Sequence, residues 1–269
     1  MKRLITKLLK GRVWTVLMGP LRGTKLRYTS LIKGRVYLKS YEPDKQRAFD
    51  LFLKPGSTFF DIGANVGLHS YYVTRKHPDV RVFSFEPLPS NAEYIRETLK
   101  INQFSNIEVI EKAMSSRNGE AFFNMSDNNS KGMLSQATTE LTVKTISLDN
   151  YVIENKNYPD LIKIDVEGAE SIVLEGARKL MQERPPIFII ELHSPEQDLK
   201  VSGLLTASNY TIFRLNTNLK KNASQFLIKV KNVNASWPDP QGVWGSIVAI
   251  NSDQLKSNNP QVEKGNEDV

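Results

Sequence analysis

From residue 58 onward, short and almost unbroken apolar segments alternate with amphipathic ones, and this rhythm constrains the fold more than any other feature of the chain. The spacing predicts strands at Thr58–Ile62, Val80–Phe85, Ile107–Glu111, Leu161–Ile164, Ile187–Leu192, Tyr210–Leu215 and Ser246–Ile250. Helices are expected between them at Leu68–Lys76, Asn91–Asn102, Ala169–Met181 and Glu196–Ala207. Strands that are apolar on both faces need helices on both sides, which gives a doubly wound, mostly parallel α/β sheet of seven strands. The rhythm breaks between Ala113 and Asp149, where Glu120–Met125 and Leu141–Ile146 read as two extra strands around a polar loop, Ser126–Thr139.

The chain divides by charge. Eleven Lys and Arg residues and no acid precede Glu42, so of the formal +7 the remaining residues carry the difference, −4. We read residues 1–43 as a basic N-terminal extension, 44–250 as the α/β domain and 251–269 as a disordered polar tail. Within the extension, Thr24–Thr29 and Arg35–Lys39 suggest a hairpin turning near Lys33-Gly34, and Asp44–Leu53 has helical spacing. Leu4, Ile5, Leu8 and Leu9 share one face of a helix beside Lys7 and Lys10, a pattern suited to the surface of an anionic membrane. Val13–Met18, interrupted by Thr15, is too short for a secretory apolar core, and no run approaches the ~20 residues of a membrane span. A cytoplasmic location, peripheral to a membrane, is the expectation. Oligomeric state stays open. With no cysteine, disulfides, thiolate metal sites and cysteine nucleophiles are excluded.

The strongest local signal is Phe59-Phe60-Asp61-Ile62-Gly63-Ala64-Asn65-Val66-Gly67, a strand running into a glycine-rich turn that opens a helix. Glycines permit the tight turn and let backbone approach a ligand. Asp61 stands near the carboxyl end of that strand, where it could accept from a ligand ammonium. Glu86 ends the next strand, 19 residues beyond Gly67, the separation at which an acid holds ribose hydroxyls. The turn lacks both the Gly-x-Gly-x-x-Gly spacing of dinucleotide enzymes and a Gly-Lys-Ser/Thr phosphate loop. A cofactor with a ribose and no phosphate fits it best.

Four segments in order, FFDIGANVGLHS (59–70), VFSFEPLPSNAEYIRETLKIN (82–102), LIKIDVEGAESIVLEGA (161–177) and PIFIIELH (186–193), resemble the FkbM-like branch of class I S-adenosylmethionine methyltransferases. The resemblance, which with Thr145–Asp149 covers about residues 40–250, implies a Rossmann-like fold and S-adenosylmethionine as cofactor. It implies Asp61, Gly63, Asn65 and Gly67 around the methionine moiety, Glu86 on the ribose, and Pro87, Leu88 and Ala113 beside the adenine. Asp165 would face the methyl-transfer site. It also implies oxygen acceptors on sugars, glycans or natural products.

For the proton of such an acceptor, His193, Asp165 and Glu191 are candidates. Glu191 and His193, two apart on an extended segment, should share one face. His193 also fits a surface histidine at the start of the next helix. Asp165, Glu191 and His193, with Glu167 nearby, could ligate Mg or Mn. Lys163 reads as the partner of an acid, and Glu170 as a charge at a helix start. Trp237 and Trp244 could stack on a sugar. A nucleic-acid methyltransferase is the first rival, favoured by the basic arm but lacking an Asn/Asp-Pro-Pro-Tyr/Phe segment; a non-catalytic module retaining the fold is the second.

Overall fold

A computed structural model describes residues 11–29, 32, 36, 41–125, 132–135, 141–216 and 226–258. The elements run β1 (Val13–Thr15), β2 (Lys25–Arg27), α1 (Pro43–Phe52), β3 (Thr58–Ile62), α2 (Leu68–Lys76), β4 (Arg81–Phe85), α3 (Pro89–Asn102) and β5 (Ile107–Ile110). They continue with β6 (Ala113–Met114), β7 (Gly119–Met125), β8 (Gly132–Ser135), β9 (Leu141–Ile146), α4 (Leu148–Asn155), β10 (Leu161–Ile164), α5 (Glu170–Glu175) and α6 (Arg178–Glu183). The last are β11 (Ile187–Glu191), α7 (Pro195–Ala207), β12 (Tyr210–Leu215), β13 (Leu227–Lys229), β14 (Ser246–Asn251) and α8 (Ser252–Asn258).

The main sheet has the order β13-β12-β14-β11-β10-β3-β4-β5. Strands β11, β10, β3, β4 and β5 are parallel, and β14, β12 and β13 join antiparallel. This is the class I methyltransferase-like α/β architecture, with eight strands where seven were expected; β13 is a short edge strand added beside β12. The order grows outward from β3 in both directions, so the connections reverse between β3 and β10. A crevice forms there, outside the carboxyl ends of the strands, where open α/β sheets bind ligands. Two apolar clusters fill the two faces, one around Phe49, Phe59 and Tyr71, the other around Phe60, Phe188 and Val173. Both faces are closed because strands such as β3 and β10 are buried at every residue.

Several boundaries differ from expectation for local reasons. The expected helix at 169–181 is two helices, α5 and α6: the Asp149 N–H donates to the Gly176 carbonyl at 2.8 Å and the Asp149 carboxylate accepts from the Lys179 and Leu180 N–H groups, while Gly176 passes against the Ser115 carbonyl, where a Cβ would lie 2.2 Å away. Residues 148–155 are helical, with the Ser147 hydroxyl accepting from the Asn150 N–H at 3.2 Å. Part of the expected polar loop is a strand, β8, paired with β7 in a separate four-stranded sheet β6-β9-β7-β8. The rest of that loop, and Leu4, Ile5, Leu8 and Leu9, lie outside the described residues. The strand at 25–27 pairs with Val13–Thr15, while residues 35 and 37–39, in the second strand of the expected hairpin, lie outside the described residues. The tail does not begin at 251: Asn251 ends β14 and α8 follows it. Nor does the extension stand apart, since Val16, Leu21, Leu26, Ile32 and Val36 belong to one of the two core clusters. No helix among the described residues is long and apolar enough to cross a membrane.

Candidate active site

The crevice at the reversal point is lined by the ends of β3, β4, β10 and β11 and by the segment before α1. Gly63 opens it. Its φ is +74°, and a Cβ there would sit 1.9 Å from the Asp165 carbonyl oxygen, so β3 and β10 can lie this close at their ends only with glycine. Gly63→Ala should force the strand ends apart and destabilise the fold by about 3 kcal/mol. Thermal unfolding measures this; an unchanged midpoint would refute the steric argument.

The turn 63–66 hangs on β4. The N–H groups of Gly63 and Ala64 donate to the Phe85 carbonyl at 3.0 and 3.1 Å. The Asn65 N–H, in a left-handed conformation (φ 53°), donates to Glu86 Oε2 at 2.8 Å. Glu86 Oε1 accepts from the Leu88 N–H at 3.1 Å and the Asn91 amide at 3.2 Å. Burial pushes the Glu86 carboxyl up to about 7, against the opposing pull of these three bonds. Gly63, Asn65, Glu86, Pro87, Leu88 and Ala113 all line the crevice, as do Met114 and Asp165.

Two of the residues expected around the cofactor stand behind the crevice wall. Asp61 does not line the crevice: it is fully buried, bonded by the Ser70 hydroxyl at 2.6 Å and paired with Lys163 Nζ at 3.1 Å. Its position within β3, one residue before the strand's end, turns it beneath the turn rather than out of it. Gly67 likewise lies outside the lining; its missing Cβ makes room for the Tyr71 ring, 2.7 Å from where that atom would be, and its φ of +80° caps α2.

Lys163 is the central buried cation. It donates to the Gly63 carbonyl at 2.9 Å and stands 3.8 Å from Asp165. Burial works against its charge, but Asp61 and then Asp165 outweigh that and raise its pKa. Asp165 is held below the usual carboxylate range: burial opposes ionisation, and Lys163, Lys45 and His193 overcome it in that order.

A second cation was not legible in the sequence. Lys45, on the first turn of α1, is 2% exposed and bonds Glu42 at 2.7 Å and Glu191, and lies 3.8 Å from Asp165. Glu42 in turn bonds His69 at 3.0 Å. Burial disfavours the Glu42 charge, yet His69 and Lys45 hold its carboxyl well below the ordinary range. Tyr41, Glu42 and His69 line the crevice. The one signal pointing here was that Glu42 is the first acid after eleven cations.

Glu191 therefore faces Lys45 and not His193, contrary to the expectation that both share one site. His193 turns the other way. Its Nδ1 bonds Glu170 Oε1 at 2.8 Å, and its Nε2 stands 3.6 Å from both Asp165 and Glu167. Burial lowers its pKa, but the Glu170 bond and charge, then Asp165 and Glu167, raise it above the usual value. Glu170, fully buried, is thus a partner of His193 as well as a charge at the start of α5. Ligand atoms of Asp165, Glu167 and His193 lie within 4.8 Å of one another. Glu191, expected beside Asp165 and His193, is engaged by Lys45 instead and is not part of this cluster. Trp237 and Trp244 pack edge to face at 5.0 Å, and Trp237 is exposed.

The model of the methyltransferase FkbM domain matches residues 61–222, more than half of the chain. Hexuronic acid methyltransferase AglP of Haloferax volcanii is 29% identical over 164 residues, which are 60% of this chain and 64% of that protein. 2-O-methyltransferase NoeI of Sinorhizobium fredii is 30% identical over 151 residues, 49% of this chain and 61% of that protein. The crystal structure of methyltransferase FkbM from Methylobacillus flagellatus superposes with a TM-score of 0.49 at 18% identity, covering 73% of this chain and 44% of that one. In each case less than two thirds of the relative's length is covered. On the family match, the chain belongs to the FkbM methyltransferase family.

Proposed function

We propose that the protein is an S-adenosylmethionine-dependent O-methyltransferase acting on a hydroxyl of a sugar or glycan. The observation that carries the reading is that Glu86, held by loop N–H groups, and the Asp165–Glu167 pair border one crevice on either side of Gly63, with His193 Nε2 behind that pair, 3.6 Å from each acid. The residues fit the cofactor. Glu86 is a buried carboxylate suited to accept ribose hydroxyls, and Leu88, Ala113 and Met114 offer an apolar flank for adenine. Five acids, Glu42, Glu86, Asp165, Glu167 and Glu191, line the crevice beside Lys112 and Lys163, a balance that favours a cation. Bound there, S-adenosylmethionine would supply an electrophilic methyl group on a sulfonium centre.

The chain's own part is to orient the acceptor and take its proton. His193, with Nδ1–H donating to Glu170, presents Nε2 as the group that accepts the hydroxyl proton as the new C–O bond forms. Asp165 then steadies the imidazolium. A sugar acceptor is supported by the name of one relative, a hexuronic acid methyltransferase, and transfer to a hydroxyl oxygen by that of the other, a 2-O-methyltransferase. The domain limits that go with this reading are a catalytic unit from residue 44 through α8 with the N-terminal hairpin packed on it. A metal at Asp165, Glu167 and His193 is the less favoured variant, because Lys45 and Lys163, each 3.8 Å from Asp165, already place positive charge there.

Calorimetric titration with S-adenosylmethionine tests the cofactor. Glu86→Ala should weaken binding roughly 100-fold, the loss of two hydrogen bonds to a charged group. Binding that needs the ionised carboxylate should strengthen as pH rises through about 7, the value to which burial brings Glu86. Glu86→Gln should flatten that dependence. Equal affinity in wild type and Glu86→Ala would sink the ribose assignment.

A further inference from the structure

We propose that the β1–β2 hairpin is a docking element for an anionic lipid bilayer. One side of the hairpin is fixed to the core. Val16, Leu21 and Leu26 are buried, and the Val16 N–H donates to the Thr24 carbonyl at 2.8 Å. Lys25 and Asn102 exchange two hydrogen bonds, at 2.7 and 2.8 Å, and the Tyr94 hydroxyl donates to the Arg27 carbonyl at 2.7 Å. This side ties the hairpin to α3.

The hairpin also exposes four large apolar side chains to solvent. Val13, Trp14, Leu17 and Met18 are 45%, 42%, 65% and 59% exposed. They are half of the large apolar side chains that stand exposed among the described residues, yet they fall within six consecutive positions. The other four, Phe122, Ile153, Leu199 and Trp237, are scattered along the chain. Isolated exposed apolar residues are ordinary, whereas a group of this kind marks an interaction surface.

Charge selects the partner. No acid occurs among residues 1–41. Arg12, Arg22 and Lys25 are exposed on the hairpin, and the Arg75 guanidinium lies against its turn, 3.3 Å from where a Gly23 Cβ would be. Arg27 is neutralised by Glu97 at 3.1 Å. A rim of one sign repels a second copy of itself, and nucleic acid offers nothing apolar for Leu17 and Met18 to enter. A bilayer with anionic headgroups meets both halves: cations at the headgroups, Leu17 and Met18 below them, and Trp14 at the boundary where tryptophan is favoured.

The placement has a consequence for the site. Helices α2 and α3 start at the carboxyl ends of the strands and run back, so their last turns, where Arg75 and Asn102 hold the hairpin, mark the opposite edge of the sheet. A docked molecule keeps its crevice open to water. The inference stands independently of the methyl-transfer reading.

The experiment uses the full chain carrying Trp237→Phe and Trp244→Phe, so that Trp14 is the sole tryptophan. It is mixed with vesicles of equimolar phosphatidylglycerol and phosphatidylcholine, and sedimentation and Trp14 emission are followed. The expected result is co-sedimentation with a blue shift, absent with pure phosphatidylcholine and weakened by salt. Leu17→Asp/Met18→Asp, both at exposed positions, should retain the unfolding midpoint and lose partition roughly tenfold or more. Failure of the parent to bind the anionic vesicles would overturn the proposal. So would undiminished partition of the folded double variant, or a concentration-dependent dimer that the double variant dissolves in the absence of vesicle binding.

Discussion

Lys163→Met should unfold this protein well below the wild-type midpoint, even though the new side chain is apolar and similar in length. The reason is the company Lys163 keeps. It is 2% exposed, pairs with a fully buried Asp61 at 3.1 Å, and donates to the Gly63 carbonyl at the turn that shapes the crevice. Removing one partner of a buried pair leaves an uncompensated charge, at a cost of about 3–5 kcal/mol. For a domain of this size that is a fall of roughly 10 °C or more. The charge argument makes a second demand. Adding Asp61→Asn to Lys163→Met should recover much of the loss, because the stranded carboxylate is gone while the Ser70 hydroxyl keeps a partner. Calorimetry on the two variants decides it: if the double variant is less stable than Lys163→Met by the full cost of Asp61→Asn alone, the two residues are not coupled and the account fails.

His193→Ala should lower methyl transfer to a hydroxyl acceptor by roughly 10²- to 10⁴-fold, the range for loss of a positioned base. Cofactor affinity should stay within a few-fold, since His193 lies outside the residues that line the crevice next to Glu86. The pH profile carries the sharper test. Burial lowers the His193 pKa, but Glu170, Asp165 and Glu167 raise it above the usual value, so the imidazolium persists to higher pH than in a free histidine. A base must be neutral to accept a proton. The rate should therefore climb with pH through an apparent pKa above that of a free histidine. Glu170→Gln removes the largest of the raising influences and should shift that midpoint downward while slowing transfer. For stability the sign is opposite: a raised histidine pKa contributes at low pH, and that contribution is lost as pH rises through the folded-state value. Activity and stability should thus move apart across the same interval. A rate that falls with rising pH would remove His193 as the base.

The parallel sheet was legible because strands buried on both faces leave a signal that needs no long-range information. Thr58–Ile62, Leu161–Ile164 and Tyr210–Leu215 have the same limits in sequence and structure. Departures from expectation occur where a distant segment intervenes. The helix breaks at Gly176, where the Asp149 N–H donates to the Gly176 carbonyl and the Asp149 carboxylate accepts from the Lys179 and Leu180 N–H groups, and nothing within residues 169–181 announces Asp149. The strand at 25–27 pairs with Val13–Thr15, a strand the sequence did not announce, and Val16 and Leu26 are buried in the same core.

The site divides in the same way. Residues that lie at strand ends, Gly63, Glu86, Asp165 and Glu191, were placed at the crevice by topology alone, because parallel strands deliver their carboxyl ends to one edge. Which of these face one another was beyond the sequence. Glu191 and His193 were expected to act together, and Lys45, brought in on α1 from 146 residues away, takes Glu191 while Glu170 takes His193. Asp61 was expected at the ligand and is fully buried against Lys163 and Ser70. The sequence by itself determined the layers of the fold, the edge that carries the chemistry and the residues available there. Only the tertiary structure decided the pairing of charges, because in a buried site each carboxylate is claimed by the cation that packing brings within reach, whatever their separation along the chain.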